Sequence, residues 1–361
     1  MTRAHLHHAL PHTRRSLLRH YLLGGHILFL IYVSLSPFEG WQEQGISLSD
    51  VLSAPLWQTY TAFDAIVNVL AYVPLGMLLA LTLRAHFGAL RSGFFAILGA
   101  LALSLALEFL QLYLPTRTSS NVDMLTNTLG GLVGALFALF IAPHAWFARL
   151  TRWRIHLFQR ERSVDFGLAL LMLWMFAQIN PSLPMLGNVF ITESAHRLFA
   201  TMPAQPFNGW ESVAVTLNLL MMGLLLQTLL QVRSHASIAA LLLLCVVALV
   251  KFMAAALLLK SWALLLWLNG EAMLGIVAGL LLMWGASRLH GRALWGVGLV
   301  AILAYMVLAL GVLDSGTPAA AQPLFQWRYG HVKNYNGLSQ TVSLLFPLLL
   351  GAYLMWSRRR L

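Results

Sequence analysis

Ten apolar segments follow one another along the chain, at roughly 20–36, 64–84, 93–114, 122–142, 163–180, 211–232, 236–258, 262–286, 293–313 and 337–356. Each approaches the ~20 residues a helix needs to cross a bilayer. No stretch shows the period-two alternation of a membrane barrel strand. The pattern predicts an all-α, polytopic transmembrane helical bundle of about ten spans. The first, third and fourth segments carry polar ends, so residues 121–142 are open to two readings, a full span or a re-entrant helix. The eighth segment is interrupted by Asn269, Gly270 and Glu271. Leu268-Asn269-Gly270 fits a local unwinding that lines a cavity, since irregular backbone at membrane depth needs protein or water around it.

The polar residues between the segments report topology. Of the 23 Lys and Arg residues, seventeen fall on one side if the N-terminus is cytoplasmic, among them Arg14, Arg15, Arg19, Arg84, Arg91, Arg149, Arg152, Arg154, Arg233, Arg288, Arg292 and Arg358 to Arg360. The other side receives Arg117, Arg197, Lys260, Arg328 and Lys333. This positive-inside bias favours an even number of spans with both termini cytoplasmic. It also accounts for the net charge of +11 without nucleic acid, because the basic residues sit in short loops. Ser34, Leu35 and Ser36 form only a weak cleavage site before Pro37, so the first helix is expected to be an uncleaved span rather than a signal peptide. Outward loops at about 37–63, 181–210 and 314–336 carry Trp41, Trp57, Trp210 and Trp327, suited to interfacial anchoring.

Residues 143–162 are basic and aromatic, with Trp146, Trp153 and Phe158, and fit a cytoplasmic linker lying on anionic lipid. They divide the chain into a first transmembrane domain (1–142) and a second (163–361). The second is open to two readings, a degenerate repeat of the first or apolar helices that match by chance: GGLVGALFALF (130–140) resembles GIVAGLLLMW (275–284), with Gly130 and Gly134 matching Gly275 and Gly279. FDAIVNVLAYVPLGMLL (63–79) loosely resembles VAVTLNLLMMGLLL (213–226).

Composition supports the membrane reading: 59% of residues are hydrophobic and 10% charged, against about 25% charged in soluble domains, and the mean hydropathy is +0.74. The lone cysteine, Cys245, excludes an internal disulfide. No P-loop, GxSxG, HExxH or dinucleotide fingerprint is present, and no cofactor is expected. The N-terminal His5, His7, His8 and His12 read as a partly cationic tail rather than a metal site.

One stretch carries most of the candidate chemistry: EFLQLYLPTRTSSNVDMLTNTLGGLVG, Glu108 to Gly134. Polar groups are costly in hydrocarbon, so such a cluster marks a water-facing site or pathway. Asp64, Asn68 and Tyr72 fall on one helical face at i, i+4 and i+8. Glu108 and Gln111 lie in the last turns of the third span, Arg117 and Ser119 in the loop, and Asp123 and Asn127, again i and i+4, at the start of the fourth. All are placed at one membrane depth, in a pocket opened by Pro74 and Pro115. Glu108 lies inside an apolar helix and needs Arg117 as partner, a water cavity or a protonation role. Simpler roles exist for each. Ser120 and Asp123 resemble a capping box, Asn68 and Asn127 can glue helices, and Gly130, Gly131 and Gly134 permit close helix contact.

This order of motifs, D-x-x-x-N (Asp64, Asn68), Y-x-P-L-G (Tyr72, Pro74, Leu75, Gly76), E-x-x-Q (Glu108, Gln111), P-x-R (Pro115, Arg117) and D-x-x-x-N-x-x-G-x-x-x-G (Asp123, Asn127, Gly130, Gly134), resembles the VanZ-like family of bacterial membrane proteins over about residues 20–142. The family often carries Asp-Lys and then His where this chain has Asp64-Ala65 and Asn68. The resemblance implies a multi-pass protein of the bacterial inner membrane and, through the founding member's link to teicoplanin resistance, an effect on glycopeptide susceptibility.

Four functions remain open. The first is binding of a membrane lipid or lipid-linked envelope precursor at the outer leaflet through Asp64, Asn68, Tyr72, Glu108, Gln111, Arg117, Ser119, Asp123 and Asn127, with Arg117 holding phosphate or carboxylate. The second is an enzyme on such a lipid, with Glu108 or Asp123 as general base. The third is a transporter, and the fourth a scaffold. In the second half, Lys251 and Glu271 reach similar depth and are expected to form a buried ion pair, because either alone would be costly.

Overall fold

The computed structural model describes residues 16–55, 62–142, 144–159, 161–189, 207–289, 291–313 and 330–357; the side chains of 63, 145–148, 162 and 330–336 are not among them. Trp57, Trp327, Arg197, Arg328, the N-terminal histidines and the Lys333 side chain lie outside the described residues. The helices are α1 (Leu18–Leu35), α2 (Leu48–Ser53), α3 (Ala62–Leu83), α4 (Ala89–Gln111), α5 (Asn121–Ile141), α6 (Ala145–Leu157), α7 (Arg162–Gln178), α8 (Gly209–Leu229), α9 (Ala236–Leu258), α10 (Gly270–Ala286), α11 (Arg292–Gly311) and α12 (Gly330–Ser357). Among the described residues there is no strand, only an isolated bridge between Phe158 and Leu230.

All ten apolar segments form helices, as their hydropathy predicts, and eight of these are long and apolar enough to cross a membrane. The chain is a multi-pass helical membrane protein. The other two, α7 and α10, have 17 residues each. Helix α5 is one continuous helix of 21 residues and counts among the eight. The break at Asn269 is a helix start rather than an unwinding within a helix: its side chain accepts the Ala272 N–H at 2.9 Å and opens α10. Leu70, Leu90, Phe140, Leu242, Leu257, Val307 and many other large apolar side chains point outward. That arrangement suits a hydrocarbon surround, in which only helices satisfy their own backbone.

The two ends of the bundle differ. At one end Arg19 of α1 donates to the Leu81 carbonyl near the end of α3 (3.0 Å), with Arg84 and Arg91 close by in the chain. Asp165 of α7 gathers this basic end: it pairs with Arg154 of α6 and accepts from the Leu17 N–H (2.7 Å) and the Ser16 hydroxyl (3.1 Å). Helix α6 is held there too by backbone bonds, Gln159 N–H to Leu229 (2.9 Å) and Gln231 N–H to Leu157 (3.0 Å). At the opposite end lie the C-termini of α1, α4 and α7 and the starts of α3, α5, α8 and α10. There α2 opens on a capping box, in which Ser47 and Asp50 bond reciprocally, and hydrogen bonds from Ser47 hold the exposed Asp50 carboxyl below its ordinary range. Val51 of α2 packs with Leu112 and Met124 over the α4–α5 junction.

The closest helix contact is between α3 and α5. A Cβ on Gly134 would overlap the Val73 carbonyl, one on Gly130 the Val69 carbonyl, and one on Gly76 the Gly131 carbonyl. Small residues let the two backbones meet, which is the main source of packing energy where lipid removes the hydrophobic drive. Helix α8 is the centre of the second half, almost wholly buried under α7, α9, α10 and α11.

The glycine contacts make a testable statement. Gly134→Ala should destabilise the purified protein by about 1–3 kcal/mol or more, the usual cost of overpacking, and depress its melting temperature in detergent. Gly24→Ala, with open space around it, should leave the melt unchanged.

Candidate functional site

The polar residues of α3, α4 and α5 meet at the end of the bundle away from the arginines. Asn68 Nδ2 donates to Asp123 Oδ1 at 2.6 Å, joining α3 to α5. Asn127 Nδ2 donates to Ser104 Oγ at 3.0 Å, joining α5 to α4. Glu108, 3% exposed, accepts the Ser120 backbone N–H at 2.9 Å, so this carboxylate ties α4 to the N-cap of α5. The Tyr72 hydroxyl lies near Ser104 within electrostatic reach of Glu108 and Asp123. Asp64 sits half-buried in the first turn of α3, on the face of Asn68 and Tyr72. The capping box read from Ser120 and Asp123 does not form: Ser120 caps the Val122 N–H (3.2 Å), while Asp123 engages Asn68.

Two expected site residues are spent elsewhere. Arg117 turns its guanidinium to the end of α1, where Nε donates to the Ser36 carbonyl (3.0 Å) and Nη2 to the carbonyls of Ser36 (2.6 Å) and Val33 (2.9 Å). Burial in this loop holds it below its ordinary basicity. Gln111 donates to the Ser34 carbonyl at 3.0 Å. The last carbonyls of a helix have no partner within it, and a cation is the favoured group at that end. Arg117 is therefore bonded as a helix cap, and the expected phosphate clamp is not formed by these contacts.

Within the cluster, the Tyr72 hydroxyl, Ser119 Oγ and Asn127 Oδ1 are buried without a hydrogen bond of ordinary geometry among the described residues, although the Tyr72 hydroxyl faces Ser104 and Ser119 Oγ faces Glu108. Native structures satisfy nearly all such atoms, so each orphan asks for an explanation. Asn121, at the start of α5, donates to the Ala54 carbonyl (2.6 Å), Gln44 to Leu112 (2.8 Å) and the Gln42 N–H to Tyr113 (2.9 Å). The segment from Gln42 to Ala54 is thereby strapped across the α4–α5 junction. Pro115 is exposed at that junction, whereas Pro74 lies half-buried inside α3.

In the second half, Lys251 and Glu271 do not pair. Lys251, 0% exposed, donates to the carbonyls of Gln178 (3.1 Å) and Asn180 (2.7 Å), at the end of α7. Glu271 accepts the Asn208 N–H at 3.2 Å. The reason is local: α7 stops short, and its open carbonyls are nearer to Lys251 than any carboxylate.

Sequence reasoning also missed the buried segment beyond α7. Residues 180–188, expected in an outward loop, are buried throughout. Their backbone is held by side chains of neighbouring helices. Gln178 accepts from the Leu186 N–H (3.1 Å), Asn218 at mid-α8 donates to the Leu186 carbonyl (3.0 Å), and Glu211 accepts from the Asn188 N–H (2.7 Å). Trp174 donates to Asn218 (2.7 Å) and Tyr305 to Asn188 (2.9 Å). Two small cavities, of about 70 and 10 Å³, touch Gln178 here. Ser104 was legible, one turn before Glu108 on an otherwise apolar helix; Pro181 and Pro184 read as loop and hid the burial. Among the described residues no group of three or more His, Cys, Asp and Glu side chains could hold a metal ion.

Residues 12–142, which contain α1 to α5 and the whole first cluster, match the VanZ/LLP1 family model. This segment is VanZ-like. No curated protein and no solved structure matches the chain significantly.

Two outcomes are expected from these contacts. Arg117→Ala should lower thermal stability through loss of the α1 cap, and Arg117→Lys should not restore it, since a single ammonium does not reproduce the fork on two carbonyls. In a double-mutant cycle on yield and melting temperature, Lys251→Ala should cost about 1–3 kcal/mol per orphaned carbonyl. Glu271→Ala should then add to that loss and not relieve it; partial rescue would show a coupling.

Proposed function

We propose that the cluster of α3, α4 and α5 binds the hydroxyl- or amine-bearing headgroup of a lipid-linked or cell-envelope ligand from the outer face of a bacterial inner membrane. The observation that carries this is the set of buried polar atoms left over once the helices are tied together: the Tyr72 hydroxyl, Ser119 Oγ and Asn127 Oδ1, beside the carboxylates of Glu108 and Asp123. Two of these groups accept and donate, and three only accept. Such a set suits a ligand rich in donors, such as a sugar or an ethanolamine. It does not suit phosphate, and the bonding of Arg117 to α1 agrees with that.

The orientation is part of the proposal. Arginines gather at the opposite end of the bundle, and the positive-inside rule assigns that end to the cytoplasm. The cluster then opens outward, where envelope precursors are displayed. An effect on glycopeptide susceptibility follows if the ligand is an antibiotic target or its carrier, in keeping with the VanZ-like character of residues 12–142.

The test is identification by mass spectrometry of lipids that co-purify with the native protein and with Glu108→Gln and Asn127→Ala. The native protein should retain a species with a hydroxylated or amino headgroup, and each variant should lose most of it while remaining folded. Identical lipid profiles for folded native and variant proteins would overturn the binding role.

A further inference from the structure

The helix pair α8–α10 repeats the geometry of α3–α5, and these are the two most extensive helix contacts in the molecule. A Cβ on Gly130 would meet the Val69 carbonyl and Tyr72; one on Gly275 would meet the Ser212 carbonyl and Val215. Gly134 faces the Val73 carbonyl, and Gly279 lies against the Thr216 carbonyl and Leu219. The register is thus set by packing: Val69 takes the place of Ser212, Tyr72 of Val215 and Val73 of Thr216. The loose sequence match would have put Asn68 on Asn218, about two turns away. By packing, Asn68 corresponds to Glu211, and Thr126 to Glu271. Where the first pair carries an amide and a hydroxyl at these positions, the second brings together two carboxylates.

Glu211 is 2% exposed and Ser212 5% exposed, in the first turn of α8. Glu211 Oε1 accepts the N–H groups of Asn188 (2.7 Å) and Val189 (3.3 Å). Its Oε2, and the neighbouring Ser212 Oγ, are buried with no hydrogen-bond partner among the described residues. Glu271 is brought to the same turn by its bond to the Asn208 N–H (3.2 Å), and Asn208 caps α8 through its side chain. Glu211 and Glu271 feel each other's charge. No cation compensates them among the described residues: Lys251 is bonded to the carbonyls of Gln178 and Asn180, and the ion pair that does form, Arg154–Asp165, lies at the basic end. Tyr305 of α11 reaches this turn only through Asn188.

We infer that the first turn of α8, with Glu271 of α10, forms a binding site for a small monovalent cation such as sodium or potassium. A buried carboxylate oxygen without a partner is costly, and a bound cation removes that cost. Divalent calcium would call for 6–8 oxygens with several carboxylates, and the described residues offer no group of three acidic or metal-ligating side chains. The site is independent of the headgroup cluster, since it lies on other helices and uses none of its residues.

The experiment uses the full-length protein in detergent at constant ionic strength, with choline chloride replaced stepwise by sodium or potassium chloride. The melting temperature should rise by a few degrees and saturate, as for any ligand bound only by the folded state. Gly24→Ala, at an open position of α1, should keep that rise, and Glu211→Gln should lose it. Equilibrium dialysis of sodium and potassium against the native protein provides a second reading that does not depend on any variant, with close to one ion per chain expected. No difference from choline together with no ion retained, a response to calcium alone, or a rise undiminished in Glu211→Gln would each overturn the site.

Discussion

Interruptions of helices inside this bundle expose backbone groups that lipid cannot satisfy, and at four of them among the described residues a charged side chain satisfies some of these groups. Arg117 covers the last carbonyls of α1, and Lys251 those at and just beyond the end of α7. Glu108 takes the N–H of the residue that caps α5, and Glu211 the N–H groups of the buried segment before α8. Cations go to carbonyl ends and anions to amide ends, the sense in which the helix dipole favours them. In water such contacts would be worth little; in hydrocarbon the alternative is an unsatisfied group costing several kcal/mol. The tertiary structure is organised around these four charges because the short α7 and the sharp turns after α1 and α4 exist only if their ends are covered.

This also explains which parts of the structure were legible in the sequence. Helix number and approximate bounds came through because an apolar run near the bilayer thickness has one cheap conformation. Gathering of Asn68, Glu108, Asp123 and Asn127 came through because alternation of direction places the start of α3, the end of α4 and the start of α5 at one end. Partner choice did not. Counting charges suggests Arg117 with Glu108 and Lys251 with Glu271, because backbone groups carry no letter in the sequence that marks them as unsatisfied. The burial of residues 180–188 was hidden for the same reason: Pro181, Pro184 and Gly187 read as a solvent loop unless one knows that Asn218, Glu211 and Lys251 wait to receive their backbone.

The glycine contacts add a second constraint. Gly130, Gly131 and Gly134 bring α5 close to α3, and toward the helix starts Asn68 and Asp123 come into contact. Gly275 and Gly279 act likewise on α8 and α10. Close packing and polar juxtaposition are therefore one design used twice: the small residues fix the distance, and the residues in the last turn toward the same end define the chemistry. In the first half that turn holds a satisfied amide–carboxylate pair flanked by hydroxyls. In the second it holds two acids.

What remains after the backbone has been served is chemically polarised along the bundle. At the basic end the buried atoms without a partner among the described residues are mainly donors: Arg19 Nε, Arg84 Nη1 and Gln227 Nε2, with the Thr82 hydroxyl. At the other end they are oxygens: the Tyr72 hydroxyl, Ser119 Oγ, Asn127 Oδ1, Glu211 Oε2 and Ser212 Oγ. Donors facing the arginine-rich surface suit the phosphates of anionic lipid, which cluster at such surfaces. Three of these are hydroxyls, which donate as well as accept, whereas Asn127 Oδ1 and Glu211 Oε2 only accept, and a hydrogen-bond donor or a positive charge would satisfy those two. A purely structural polar cluster would be expected to balance donors against acceptors within itself. The excess of oxygen at one end is the observation on which both the proposed headgroup site and the proposed cation site rest.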